Sequence, residues 1–213
     1  MDNTIADMRK EYSQQSLEVD DVLQDPITQF QKWFEEARQS ELPEPNAMHL
    51  STVTLEGKPA GRIVLLKGIE NEQFIFYSNY QSQKGQELAH TPWAAITFFW
   101  VELERQVRIE GKVQQVDSEI STAYFHSRPR GSQIGAWVSP QSEVIPDRAF
   151  LENRQKELEA RFEGEQVPRP EHWGGFAVHA EKLEFWQGRP SRLHDRICYT
   201  RDQKGWRIKR LAP

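Results

Sequence analysis

The spacing of apolar residues changes period along the chain. In "DPITQFQKWFEEARQSEL", Ile27, Phe30, Phe34 and Ala37 recur three and four residues apart behind an aspartate and a proline, which predicts a capped amphipathic helix from Asp25-Pro26 onward. The period then shortens to two. "AMHLSTVTLEGKPAGRIVLLKGI" reads as two strands joined at EGKP, and "QFIFYSNY" as a third. A short helix in "QSQKGQELAHTP" stops at Thr91-Pro92. In "WAAITFFWVELERQVRIEGKVQQV", Val101, Leu103, Val107, Ile109 and Val113 alternate with Glu102, Glu104, Gln106, Arg108 and Glu110, predicting strands with one wet face. Residues 117–127 read as a helix ended by Pro129, and 147–164 as a second helix stopped at Gly164. Strands return in "WGGFAVHAEKLEFWQG" and "HDRICYTRDQKGWRIKRLAP", with DQKG as a hairpin turn. Successive strands without βαβ alternation predict a mainly β (α+β) class, a small antiparallel barrel with peripheral helices. Residues 1–24 lack the periodicity and read as a mobile N-terminal arm, ahead of one domain over 25–213.

Composition narrows the function. With 213 residues, 37% apolar and 28% charged, the chain can bury a sizeable core. The net charge of -5 argues against a protein that coats nucleic acid or an anionic membrane, so any anion site must be local. No apolar run is long enough to span a bilayer, and the start lacks the apolar stretch of a signal peptide. The single cysteine, Cys198, excludes an intramolecular disulfide and a multi-cysteine zinc site, and fits a cytoplasmic address. There is no metal-ligand spacing, nucleophile elbow, GxxxxGK[ST] loop or GxGxxG fingerprint.

Four stretches hold more polar groups than solubility requires. In "GRIVLLK", the odd separation of Arg62 and Lys67 puts them on opposite faces of a regular strand, so they are either two solvated charges or partners in a bent or divided anion site. "YSNYQSQKGQ" sets serines, Asn79, Gln83 and Lys84 at a helix start, an ordinary turn or a phosphate site. In "AYFHSRPRGSQIGAW", Tyr124 and Arg128 share a helix face with Ser132 just beyond; donors of this kind suit a phosphate, or the cations complement the helix dipole. "WQGRPSRLHDR" packs a tryptophan, three arginines, a histidine and an aspartate into one turn. If extended, it puts Arg192 and His194 on one face and Asp195 on the other. His194 reads as a proton shuttle, a hydrogen-bond donor to a ring, or a structural histidine.

"RIVLLK", "FYSN", "LERQVRIEGK", "YFHSRPRGSQIGAWVSPQS", "WGGF", "EFWQG", "RLHDR" and the terminal "RLAP" resemble, in order and spacing, the motifs of the pyridoxamine 5′-phosphate oxidase family, from about "MRKEY" to the last residue. The resemblance implies an FMN-binding split β-barrel of Greek-key type, a homodimer with FMN at the subunit interface and contacts drawn from both subunits. It implies FMN contacts at Arg62, Ile63, Val64, Leu65, Leu66, Lys67, Tyr77, Ser78, Gln83, Lys84, Gln106, Gln141, Ser142, Trp186 and Arg196. Substrate contacts are implied at Lys67, Tyr124, Arg128, Ser132, Arg192, Leu193 and His194, with Arg9 and Tyr12 in a segment that closes over the site. Arg192 and His194 are the implied catalytic pair. The implied reaction oxidises pyridoxamine or pyridoxine 5′-phosphate to pyridoxal 5′-phosphate by hydride transfer from C4′ to flavin N5, with O2 reoxidising the flavin and yielding H2O2.

At Gln83 the chain departs from an arginine common in the family, which predicts weaker or more salt-sensitive FMN retention. His126 and Arg130 gain no role from the resemblance and read as structural or interfacial, with Phe125 and Trp137 as anchors in the core or the dimer interface. The competing readings are a split-barrel flavoprotein for another substrate, a non-catalytic carrier of FMN or pyridoxal phosphate, and, given the acidic balance least favoured, a nucleic-acid-binding barrel.

Overall fold

Asp25 begins the first helix as a capping residue should. Its carboxylate accepts from the backbone N–H groups of Ile27 and Thr28, at 3.4 and 2.9 Å, while Pro26 fills a position that needs no N–H. In the computed structural model, which describes Ile5, Met8 and residues 10–213, five α-helices and nine β-strands follow among the described residues. The helices are α1 (Pro26–Gln39), α2 (Gln83–His90), α3 (Ser118–Ser127), α4 (Arg130–Val138) and α5 (Arg148–Arg161). The strands are β1 (Ala47–Val53), β2 (Pro59–Leu65), β3 (Gly68–Glu70), β4 (Gln73–Asn79), β5 (Trp93–Trp100), β6 (Arg105–Gln115), β7 (Trp173–Gln187), β8 (Asp195–Asp202) and β9 (Gly205–Leu211). They hydrogen-bond in the order β2-β1-β5-β6-β7-β4-β3, with β8 on β7 and β9 on β8. The mainly β, antiparallel class is the one expected. Strand β7 is long enough to serve two partners: Trp173 to His179 pair antiparallel with β4, and Lys182 to Gln187 with β8.

The chain forms two compact units: Met1–Leu50 with Ala95–Gly111 and Ala180–Pro213, and Ser51–Ala94 with Lys112–His179. In the first, α1 buries Ile27, Phe30, Trp33 and Ala37. Phe30 meets Phe98 at 5.0 Å between ring centroids, Trp33 meets Phe185 edge-on at 5.2 Å, and Phe185 meets Tyr199 at 5.5 Å. Rings buried in this way each contribute about 2–3 kcal/mol, so this cluster is the core that holds β7 and β8 in place. In the second unit, Phe125, Ile134, Val138, Phe162, Val167 and Trp173 form a core beneath α3, α4 and α5.

Two sequence expectations are corrected here. The alternation read through Val101 to Glu110 breaks at a 3-10 turn, Val101–Leu103, followed by Glu104 in the left-handed region at φ 54°. Val107, Ile109 and Val113 are buried as expected, but Val101 is exposed and Glu104 is buried, because the turn resets the phase between β5 and β6. Residues after Pro129, read only as the end of a helix, form α4. Pro129 ends α3 and supplies the N-cap of α4.

Candidate active site

The second unit contains a cavity of about 520 Å³, within the usual range for a small-molecule site. One wall comes from Ile63, Val64, Leu65 and Lys67 at the end of β2, a second from Tyr77, Ser78 and Asn79 of β4 with Lys84 of α2, and a third from Tyr124, Arg128, Pro129, Ser132 and Gln141. Tyr124, Arg128 and Ser132 meet because α3 ends at Arg128 and α4 restarts at once, so one helix end and one helix start face the same space. Tyr77, Tyr124 and Trp173 form a near-parallel stack, with Tyr77 and Tyr124 centroids 3.8 Å apart. The Arg128 guanidinium lies 4.5 Å over the Trp173 ring, and its buried Nη1 has no hydrogen-bond partner.

Lys84 is buried and donates to two hydroxyls, Ser78 Oγ at 3.2 Å and Ser82 Oγ at 3.1 Å; Ser78 in turn donates to Gln141 Oε1 at 3.4 Å. Gly85 lets α2 start this close, since a Cβ there would fall 2.1 Å from the Tyr80 carbonyl oxygen. Burial, and then the charge of Arg62, push the Lys84 ammonium below its ordinary value against the pull of Glu87. Burial likewise lowers Arg128 and raises Tyr77 and Tyr124. Two cations are thus held short of solvent with neutral partners, beside phenols that keep their protons, and an anion would relieve both cations.

Arg62 lies outside the lining of this cavity. Its Nη2 bonds the buried carboxylate of Glu87 at 2.9 Å, and its Nη1 bonds Thr52, whose hydroxyl also donates to Glu87. Gln83 donates to the other Glu87 oxygen at 2.8 Å. Burial raises the Glu87 carboxyl, but these three donors outweigh it and hold the group below its ordinary value.

The first unit has its own cluster. Tyr12, Arg192 and His194 line a second cavity of about 560 Å³ with Lys10, Glu11, Arg189 and Ser191. Trp186 packs on His194 at 4.6 Å and meets the edge of Tyr12 at 5.7 Å. The segment carrying Arg192 is not extended; Ser191 and Arg192 are both left-handed, at φ 56° and 62°. Arg192 and His194 therefore share a cavity because of a tight turn, while Asp195 is buried and accepts from Leu17 N–H and Arg210. The Arg189 N–H donates to His194 Nδ1 at 3.1 Å, so the neutral ring carries its proton on Nε2. Burial, then the charge of Arg192, lower the His194 value against the pull of Asp195. Arg196 is gripped by both oxygens of buried Glu184, at 2.8 and 3.0 Å.

Of the other expected site residues, Leu66 is buried in the core, Leu193 is exposed, Gln106 is half-buried on β6 and Ser142 is exposed in the left-handed region. None of them lines either cavity, and Arg9 lies outside the described residues. Arg130 donates to the carbonyls of Phe162 and Glu165, Phe125 is fully buried, and Trp137 donates to the Pro168 carbonyl. Sequence reasoning missed Trp173, Thr52, Glu87 and Glu184. Trp173 stands in the "WGGF" motif, which carries no charged side chain that would mark it, and nothing in the local pattern marks the two glutamates for burial.

Comparison with known proteins extends these observations. Residues 34–162 match the family described as pyridoxamine 5′-phosphate oxidase, and residues 173–213 match the pyridoxine 5′-phosphate oxidase C-terminal dimerisation region. Pyridoxine/pyridoxamine 5′-phosphate oxidases of Burkholderia thailandensis and Acaryochloris marina are 57% and 56% identical; the first match covers 99% of both chains, the second 99% of this chain and 96% of the relative. Crystalline PhzG from Burkholderia lata, in complex with tetrahydrophenazine-1-carboxylic acid, superposes with a TM-score of 0.89 at 29% identity over 96% of this chain and all of that one. A pyridoxamine 5′-phosphate oxidase-related, FMN binding protein from Nostoc punctiforme shares the fold, with a TM-score of 0.71 at 17% identity over 90% of this chain and all of that one. With matches of this extent to both parts of the family's sequence, the chain belongs to the pyridoxamine 5′-phosphate oxidase family of oxidoreductases.

Proposed function

We propose that the chain oxidises pyridoxamine 5′-phosphate and pyridoxine 5′-phosphate to pyridoxal 5′-phosphate with FMN as cofactor and O2 as electron acceptor, as a cytoplasmic homodimer. The observation that carries this reading is the unpartnered, buried Arg128 Nη1 on a cavity that also holds Lys84, a cation bonded only to hydroxyls. Both groups fit phosphates. The match of residues 173–213 to a dimerisation region supports the homodimer, with FMN at the subunit interface, and the buried, unpaired thiol of Cys198 suits a reducing cytoplasm.

On this reading Lys84, Ser78 and Gln141 hold the FMN phosphate side, with Arg62, residues 63–67, Tyr77 and Ser142, and Gln106, Trp186 and Arg196 are further flavin contacts. Bound there, FMN would supply a two-electron acceptor for hydride from C4′, with O2 taking the electrons onward to H2O2; the alcohol then gives the aldehyde directly, and the amine gives an imine that water hydrolyses to the aldehyde and ammonia. Lys67, Tyr124, Arg128 and Ser132 clamp the substrate phosphate, the tyrosine as a donor because burial keeps its hydroxyl protonated. Arg192 sets a cation beside the C4′ substituent and favours loss of its proton. His194, with Nδ1 occupied, donates from Nε2 and orients the ring rather than acting as a base. Tyr12 covers the ring side of the site. A split-barrel enzyme for another substrate would have no use for the joint set of Tyr124, Arg128, Ser132, Arg192 and His194.

Purified protein is expected to be yellow or to become so with FMN, and in air to convert pyridoxamine 5′-phosphate with matched formation of aldehyde and peroxide. Protein that stays colourless after reconstitution, or binds flavin without turnover, contradicts the reading.

A further inference from the structure

Glu104 is a buried carboxylate that the proposed reaction does not use, and it occupies a backbone conformation that glutamate rarely adopts. At φ 54° it pays a conformational cost that surrounding contacts must hold in place. Those contacts converge on it from two other parts of the first unit. Its Oε2 accepts two successive backbone N–H groups, Ser13 at 2.8 Å and Gln14 at 3.1 Å. Its carbonyl accepts the Gly188 N–H at 2.7 Å and the Gln187 amide at 3.2 Å. Its neighbour Arg105, also buried, reaches Gln15 and Gln187. One residue thus ties the N-terminal segment to the end of β7.

The residue next to the tied pair is Tyr12. Its ring lies against Trp186 and His194, and it packs so closely on Gly188 that a Cβ there would fall 2.7 Å from the Tyr12 Cβ. The left-handed turn at Glu104 turns its carboxylate toward the N-terminal segment, and the segment's N–H pair fixes where Tyr12 emerges. We propose that Glu104 is a positioning residue: its carboxylate latches residues 13 and 14 so that Tyr12 is held against Trp186 and His194 on one wall of the second cavity. The expected kinetic effect rests on the substrate reading of that cavity; the latch itself does not.

Glu104→Gly tests this without straining the backbone, because glycine suits the left-handed conformation while the latching carboxylate is removed with its side chain. Trypsin cleavage after Lys10, measured on the protein without added substrate, is expected to speed by about tenfold or more as the segment lifts. The KM for pyridoxamine 5′-phosphate is expected to rise about tenfold with kcat within about twofold, Glu104→Gln falling between because its amide oxygen still accepts. Tyr12→Ala is expected to raise KM similarly, and the double variant to be no worse than either single one. Unchanged trypsin protection in Glu104→Gly overturns the latch. Faster cleavage with unchanged KM, additive effects with Tyr12→Ala, or a fall in kcat that tracks lost thermal stability overturns the positioning role. A wild-type protein inactive on this substrate refutes the proposed function, and the trypsin result still decides the latch.

Discussion

In the second unit Lys84 is buried against hydroxyls and half-buried Arg128 lies over an aromatic face, and no carboxylate pairs with either among the described residues. In the first unit Arg196 is held by both oxygens of Glu184, Arg210 by Asp195, and His194 is biased toward its neutral form. The difference separates two tasks. Cations held short of solvent without counter-ions attract a doubly charged phosphate, and binding it removes their desolvation cost. Arginines already neutralised, as Arg196 and Arg210 are, have nothing to gain from another anion, and Arg192 is left as the cation beside His194. The first unit offers flat rings and fixed donors, which suit an aromatic ligand's face and edge. Arg62 differs from Lys84 and Arg128, since Glu87 neutralises it, and the contrast predicts a smaller role in phosphate binding than its sequence motif implies.

The largest effect is expected where charge is uncompensated. Lys84→Met should weaken FMN binding by about 2–3 kcal/mol, near a hundredfold in Kd, and flatten its salt dependence. Titration of the apoprotein by flavin fluorescence quenching at low and high ionic strength measures both; a loss below threefold would erase the distinction between the two regions. Glu184→Gln breaks a compensated pair instead. It should cost about 2 kcal/mol of stability, some 4–8 °C in Tm, with FMN affinity changed less than by Lys84→Met. Calorimetry alongside the same fluorescence titration checks this.

His194 sharpens the contrast through pH. Its folded value is depressed below the ordinary 6.5, so its contribution to stability is present above that value and lost as pH falls through the folded value, where the ring must charge. The acid limb of kcat/KM should lie below pH 6.5 and disappear in His194→Gln, whose amide keeps a donor and an acceptor. The smallest effect belongs to Gln83→Arg. Gln83 is spent on Glu87, and an arginine would compete with Arg62 for that carboxylate. The net gain in FMN affinity should stay under about 1 kcal/mol and vanish in high salt, as the same titration would register.

Much of this was legible in the chain. The spacing of Ile27, Phe30 and Ala37 gave α1, and the grouping of Tyr124, Arg128 and Ser132 followed from helical spacing even though α4 went unread. That helix hid because Gly131 and Gly135 lower its intrinsic propensity, and burial of Ile134 and Val138 overrides them only in the folded core. Glu104 was assigned to a wet face because alternation assumes an unbroken strand. Glu87 and Glu184 were out of reach for a different reason. A carboxylate is buried only when its donors are present, and, Gln83 apart, those donors sit 12 to 35 residues away. Local pattern therefore found the cations of the site and missed the anions that decide which cations are uncompensated.

The division of labour is tested most directly by comparing pyridoxamine 5′-phosphate with pyridoxamine, which lacks the phosphate. In the wild type kcat/KM should favour the phosphorylated substrate by about 10²–10³-fold, and Arg128→Met should remove most of that preference. His194→Gln should lower kcat/KM for both substrates by similar factors and leave their ratio intact. A ratio that survives Arg128→Met, or collapses in His194→Gln, would contradict the assignment of the phosphate to Arg128 and of the ring to His194.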